Sequence, residues 1–355
     1  MKRVSAMQLV PGMIVAEDVF SYNGQLLIPK GTKLTDTAIT ILGVYDILSI
    51  RIKDTKKETE IDYSLSYSER IKSSPAFQIF KEEYDEQSTH FKDALQAVTE
   101  GNAPLDTEDL LEGTLALMDD AFTTSSVFDM LHCMREYDNS TFAHSINVAL
   151  ICNVAAKWVN MSEDEVRTAT ACGLFHDIGK LLIPQSILAK PASLTPDEYD
   201  IIKKHPIEGF QLLEKQKVDK AICDAALMHH ERADGTGYPL GLRGEAISRY
   251  ARLVSIADVY DAMTAARVYR GPLCPFTVIE LFEKEGLQKY HPQYIMTFLE
   301  NVVNTYILNR CKLNNGQEGE IVYINRDNLS RPMIQCGSEY INLAERPELI
   351  IESLL

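Results

Sequence analysis

The sequence has no Cys-x-x-Cys pair. Its seven cysteines, Cys133, Cys152, Cys172, Cys223, Cys274, Cys311 and Cys336, stand singly and at no framework spacing. That argues against a disulfide scaffold and points to thiols used as small core residues in a reducing cytoplasm. A basic excess is also missing. The net charge of -16 speaks against a general DNA or RNA binder, which carries a basic face. An anionic small substrate stays open, because bound cations can reverse the local field. No apolar amino-terminal segment resembles a signal peptide. The longest apolar-leaning run, Ser145 to Val159, is interrupted by Asn147, Asn153 and Lys157, and it is too short and too polar to span a bilayer. No strong internal repeat and no low-complexity region occurs. Histidine is scarce, eight in 355 residues, so its placement carries information.

What is present reads as an ordinary soluble protein, 45% hydrophobic and 24% charged, long enough for two or three domains. Residues 1–53 read as a small β-rich module. Met13 to Phe20 and Gln25 to Ile28 look like strands joined by a tight turn at Asn23-Gly24, then a short helix over Thr35 to Leu42 and a strand over Ile47 to Ile52. Residues 54–138 begin as a charged linker, Asp54 to Glu60, and turn helical from Ser66. Phe77, Phe80, Tyr84 and Phe91 lie near helical spacing, as core or as a surface for a partner helix, so this stretch is a candidate homodimer surface. Two further helices are expected over Thr107 to Asp120 and Ser125 to Tyr137. Residues 139–303 form a long helical domain. Capping boxes open helices at Ser162 and Thr195, and His205-Pro206 opens another. Residues 310–355 return to a β pattern, with strands over Glu320 to Asn325 and Met333 to Cys336 and a final short helix. The expected fold is mainly α, a helical bundle flanked by small β-rich modules.

Five of the eight histidines fall between positions 144 and 230: His144, His176, His205, His229 and His230. Asp177 follows His176 directly, and Asp258 comes later. His176 and Asp177 are predicted to sit side by side on one helix, about 100° apart. Asp177 has two oxygens and can bridge two cations. His144 and Asp258 could complete one metal, and His205, His229 and His230 the other. Imidazole with carboxylate oxygen suits iron, manganese or zinc. Two such cations activate a water and clamp the attacking and leaving oxygens of an in-line phosphoryl displacement. Lys180, one turn after His176, can reach a phosphate oxygen, and Gly179 is read as leaving room for substrate. In the run His229 to Pro239, Arg232 can pair with phosphate or fix Asp234. Asp258 and Asp261 share a helical face. Arg267 and Arg270 follow and could hold a second phosphate.

His176-Asp177-Ile178-Gly179-Lys180, together with His229-His230-Glu231-Arg232-Ala233-Asp234-Gly235-Thr236-Gly237-Tyr238-Pro239, resembles the HD-GYP family of the HD superfamily. The resemblance covers roughly residues 139–303. It implies an HD-type helical bundle that hydrolyses cyclic di-GMP to pGpG, often onward to GMP. It implies metal ligands at His144, His176, Asp177, His205, His229, His230 and Asp258, with Asp177 bridging two divalent ions, iron or manganese. It implies phosphate contacts from Lys180 and Arg267. Family members with a third metal carry Glu where this chain has Ser140, so two metals are expected. The family's Arg-Pro-Tyr is Arg267-Val268-Tyr269 here, and its Phe-Asp-Pro is Tyr290-His291-Pro292.

Three readings compete. The first is a cyclic di-GMP phosphodiesterase, or one for another cyclic dinucleotide such as cyclic GMP-AMP. The second is a catalytically silent signal-binding or scaffold protein, disfavoured because no expected ligand is lost. The third hydrolyses a different phosphoester with the HD centre alone.

Overall fold

The computed structural model describes residues 2–6, 9–10, 12–21, 26–45, 47–53, 67–118, 124–134, 140–190, 192–265 and 273–355. The Asn23-Gly24 turn, the Asp54 to Glu60 run, and Arg267 to Arg270 lie outside them. The chain divides into two compact units. One takes Met1–Arg70, Thr123–Ser125 and Val302–Leu355; the other takes Ile71–Phe122 and Ser126–Asn301. Among the described residues no helix is long and apolar enough to cross a membrane.

In the first unit, β1 (Lys2–Ser5), β2 (Ile14–Val15), β3 (Val19–Phe20), β4 (Leu26–Ile28), α1 (Asp36–Val44) and β5 (Ser49–Lys53) form the amino-terminal module. The strand order is β1-β5-β2, with β3-β4 as a separate antiparallel pair. The single strand expected over Met13 to Phe20 is therefore two. Its first half pairs with β5, where Val15 faces Ile52. After Ala16 donates to Arg51 O at 2.7 Å, the chain leaves that sheet and pairs with β4. Strand β1 carried no sequence signal that was read. Alternation in β5 buries Ile50 and Ile52 against Val4, Val15, Leu34 and Leu42. The carboxyl-terminal sheet is five-stranded: β6 (Arg310–Leu313), β7 (Glu318–Tyr323), β8 (Met333–Cys336), β9 (Glu339–Asn342) and β10 (Ile351–Leu354), in the order β10-β6-β7-β8-β9. The final short helix is only a 3₁₀ turn at Leu343–Glu345, and the chain ends on a strand that closes the sheet against β6.

The second unit is helical. Following α2 (Tyr67–Lys72), α3 (Pro75–Thr99) starts on Ser74, whose hydroxyl accepts from Phe77 N at 3.1 Å, with Pro75 in the first turn. Phe77, Phe80, Tyr84, Phe91, Leu95 and Val98 are all buried on this helix. The aromatic stripe thus serves the chain's own core and is not left as a surface for a partner. Helices α4 (Thr107–Ala116) and α5 (Thr124–Met134) follow. Helix α6 (Thr141–Trp158) is buried on nearly every face, as expected of an interior helix apolar all round. It packs closely on α7 (Glu163–Phe175), where a Cβ on Gly173 would lie 2.8 Å from Ala149 Cα. The capping boxes at Ser162 and Thr195 form as expected. The remaining elements are a 3₁₀ helix over Ile178–Leu182, α8 (Gln185–Leu188), α9 (Pro196–Ile202), α10 (His205–Lys215), α11 (Lys220–Met228), α12 (Arg249–Thr264), α13 (Pro275–Leu281), a π-helical turn over Phe282–Gly286, α14 (Leu287–Lys289) and α15 (Pro292–Thr305).

Candidate metal centre

Helix ends bring most of the centre together. His176 caps α7, His205 opens α10 and His229 caps α11. His144 lies in the second turn of α6, and Asp258 in the middle of α12. The helix expected to carry both His176 and Asp177 stops at Phe175, and Asp177 starts the 3₁₀ helix. The sharper turn directs both side chains to one centre. It also brings Lys180 back onto the Asp177 carboxylate as an ion pair.

The two oxygens of Asp177 face different imidazoles. Oδ1 lies 3.3 Å from His205 Nε2 and 3.6 Å from His229 Nε2. Oδ2 lies 3.3 Å from His176 Nε2 and 3.7 Å from His144 Nε2. Two groups of donor atoms result, each spanning no more than 4.8 Å: Asp177, His205, His229 and His230 in one, and His144, His176 and Asp258 in the other.

The back nitrogens are tied down. His176 Nδ1 lies 2.7 Å from Gly173 O, His205 Nδ1 2.7 Å from Ile202 O and His229 Nδ1 2.8 Å from Ala226 O. A carbonyl only accepts, so each Nδ1 carries the proton and each Nε2 presents a lone pair. His205 Nε2 and His229 Nε2 then face one another 3.2 Å apart with no proton between them. Among the described residues, buried His176 Nε2 and Asp177 Oδ1 have no hydrogen-bond partner. Lone pairs gathered this way in a buried site are costly unless a cation meets them. The residues present therefore fit divalent metal.

Electrostatics agree. Burial works against charge on Asp177, but Lys180, His176 and His205 outweigh it and hold the carboxyl well below the usual range. Asp258 is likewise held low against burial by His144. Burial, joined by neighbouring imidazoles, pushes His229 down to about 4 and His230 well below its ordinary value. Both are thus neutral donors at physiological pH. Burial also works to lower His144, but hydrogen bonds to Asp258 and Asp261 prevail and push it up to about 10. That corner attracts positive charge.

Other expectations need correction. Asp261, read as a substrate contact, is 1% exposed and sits behind His144, its Oδ2 2.8 Å from Nδ1. Gly179 does not open space for substrate: a Cβ there would lie 2.0 Å from His205 O. Its missing side chain is filled by the α10 backbone. Arg232 does not fix Asp234, which accepts from Thr236 N and Oγ1 at 2.9 and 2.6 Å. The Arg232 guanidinium instead stacks 4.8 Å above Tyr290, with Nη1 buried and without a hydrogen-bond partner among the described residues. Arg267 and Arg270 lie outside the described residues. Two residues were missed. Glu231, 2% exposed, shapes the glycine-rich loop by accepting from Leu240 N and Leu242 N at 2.6 and 2.9 Å. Asn147 donates to Asp261 Oδ1 at 3.2 Å, and its i+3 spacing from His144 was a readable signal.

A cavity of about 430 Å³ adjoins the cluster, lined by His230, Arg232, Tyr238, Lys289 and Tyr290 among others. Tyr238 stacks on the His230 ring at 4.7 Å. A larger opening of about 670 Å³, bounded by Val98, Pro104, Leu182, Glu208 and Gln216, contains none of these residues and is not the site.

Residues 125–294, which include the histidines gathered around Asp177, match the family model described as the HD domain. Curated relatives narrow this further. A cyclic di-GMP phosphodiesterase of Pseudomonas aeruginosa is 34% identical over 221 residues, covering 62% of this chain and 53% of that one. A cyclic di-GMP phosphodiesterase response regulator of Xanthomonas campestris is 42% identical over 135 residues, 38% of this chain and 36% of that one. A 3'3'-cGAMP-specific phosphodiesterase of Vibrio cholerae is 40% identical over 145 residues, 41% and 34% respectively. Over this segment the chain is similar to cyclic dinucleotide phosphodiesterases of the HD type, which supports the resemblance to the HD-GYP family. The chain spans about half or less of the length of these relatives.

Proposed function

We propose that the chain is a metal-dependent phosphodiesterase that opens cyclic di-GMP to linear pGpG, and that two divalent ions, iron or manganese, occupy the two donor groups. The observation that carries this reading is the division of the Asp177 carboxylate, one oxygen toward His205 and His229, the other toward His176 and His144. When bound, two such ions would supply Lewis-acid charge and a more acidic attacking water. The protein's own part is orientation and charge. The two donor groups contain two ionised carboxylates, Asp177 and Asp258, so two divalent ions would leave the centre positive, as a doubly anionic cyclic dinucleotide needs. Lys180, held beside Asp177, offers a fixed cation for a phosphate oxygen. Arg232, held over Tyr290, lines the adjoining cavity and suits the second phosphate.

The test is hydrolysis by protein loaded with Mn²⁺, or with Fe²⁺ without air, on cyclic di-GMP, with product resolved by chromatography. His176→Ala and Asp177→Ala should abolish it. Loaded wild type that leaves cyclic di-GMP intact would sink the reading. Cyclic GMP-AMP is the second substrate to try, because a relative specific for it is 40% identical over 145 residues. A competition assay with both dinucleotides decides base preference.

A further inference from the structure

His144 is held differently from His176, His205 and His229. Its Nδ1 faces a carboxylate, Asp261 Oδ2, at 2.8 Å. Asp261 Oδ1 accepts from Asn147 Nδ2 at 3.2 Å. With the amide nitrogen of Asn147 spent on that carboxylate, Asn147 Oδ1 turns away from it. There it accepts from the Tyr84 hydroxyl at 2.7 Å. Tyr84 is 1% exposed, and its hydroxyl also lies 2.9 Å from Ala143 O. It belongs to α3, upstream of the matched HD segment, which begins at residue 125.

We infer that Tyr84, acting through Asn147 and Asp261, is a positioning residue for His144 and hence for one of the two metal positions. The inference rests on the metal reading above. A hydroxyl proton aimed at Asn147 Oδ1 favours one orientation of that amide. A flipped amide would set its oxygen against the Asp261 carboxylate. The favoured orientation keeps Asp261 anchored behind His144. Asp261 in turn keeps the proton on Nδ1 and makes Nε2 a stronger donor. His144 Nε2 then points into its group with Asp258 Oδ1 3.1 Å away. The helix before the HD segment therefore enters the chemistry of the centre through one hydroxyl.

The experiment is chelator competition for Mn²⁺ on the full chain, paired with ¹⁵N imidazole spectra. Four proteins are compared: wild type, Tyr84→Phe, Asp261→Asn and Phe77→Leu. Wild type should bind two ions. Tyr84→Phe should weaken one of them about threefold to tenfold. Asp261→Asn should weaken the same one about 10- to 100-fold and shift the His144 ring away from the Nδ1–H form. Phe77→Leu, a packing change on the same helix, should lower thermal stability and leave both affinities alone. Wild-type affinities in Tyr84→Phe would overturn the inference. So would equal weakening of both ions in step with stability, as Phe77→Leu would then also show. Wild type that takes up no Mn²⁺ overturns the metal centre and this relay together. Loaded wild type inert toward cyclic di-GMP sinks only the substrate reading, and the affinities still decide this one.

Discussion

Substituting Gly179 by alanine adds one carbon where two backbones already touch. The new Cβ would lie 2.0 Å from His205 O and 2.6 Å from Gly209 N. Neither neighbour is a side chain that could swing aside. Restoring the 3.4 Å of ordinary contact parts the 3₁₀ helix from α10 by about 1.4 Å at His205. Overpacking of a core costs about 1–3 kcal/mol. With rigid backbone on both sides, about 3 kcal/mol is expected, a fall of about 6–12 °C in Tm for a unit of this size. The functional loss should be larger. His205 Nε2 now lies 3.3 Å from Asp177 Oδ1. Ligand atoms sit about 2.0–2.2 Å from a shared cation. A separation of more than an ångström takes His205 out of reach. Gly179→Ala should therefore bind one Mn²⁺ where wild type binds two, and turn over at least about 100-fold more slowly. Thermal melts, equilibrium Mn²⁺ binding and turnover on cyclic di-GMP check this. A variant with wild-type Tm and both ions bound would refute the claim that this interlock places His205.

Asp177→Asn should bind at most one Mn²⁺ and show no measurable turnover. An amide has one acceptor oxygen, and its NH₂ would face one of the two imidazole pairs; a binding isotherm shows the stoichiometry. Glu231→Gln should raise KM about tenfold with less change in kcat. The amide meets one of two backbone N–H donors, Leu240 or Leu242, with its own N–H and loosens the loop at a cost of about 1–3 kcal/mol. Steady-state kinetics and a melt separate the two effects. Stripping metal with EDTA should lower stability by about 2.7 kcal/mol for each ion that Mn²⁺ would hold at one hundred times its Kd, and added Mn²⁺ should restore it. Equal melting curves in EDTA and Mn²⁺ would mean that no native metal site exists.

Residue chemistry and helix punctuation were readable in advance; close approach was not. Capping boxes at Ser162 and Thr195 are local, since the cap and its partner lie three residues apart, and both form. The helix break between Phe175 and Asp177 was not readable. It is set by packing of Gly179 against α10, which involves residues thirty positions away. The place of Asp261 behind His144 was not readable for a related reason. Spacing from Asp258 put both on one face of α12, but only the placement of α6 decides which of them meets Nδ1 of His144 and which meets Nε2. Strand β1 and the split of the Met13 to Phe20 stretch depend on pairing with β5. Sequence periodicity does not carry partner choice.

The way the imidazoles are held follows from where they stand in their helices. The last carbonyls of an α-helix have no intrahelical donor. Gly173 O, Ile202 O and Ala226 O lie in the last turns of α7, α9 and α11. Each receives Nδ1–H from a histidine three residues on. One contact thus satisfies a carbonyl and fixes which nitrogen faces the centre. No extra residue is needed, so three candidate ligands come with their orientation built into helix termination. His144 cannot use this device. It lies in the second turn of α6, where the nearby carbonyls are taken up by the helix itself, as Ser140 O is by His144 N at 3.0 Å. Its Nδ1 must be met from another helix, and Asp261 on α12 meets it. The centre therefore depends on long-range packing at one ligand and on local geometry at three. Substitutions that shift α3, α6 or α12 against one another should be felt first at the His144, His176 and Asp258 group, and the group around His205 and His229 should resist them.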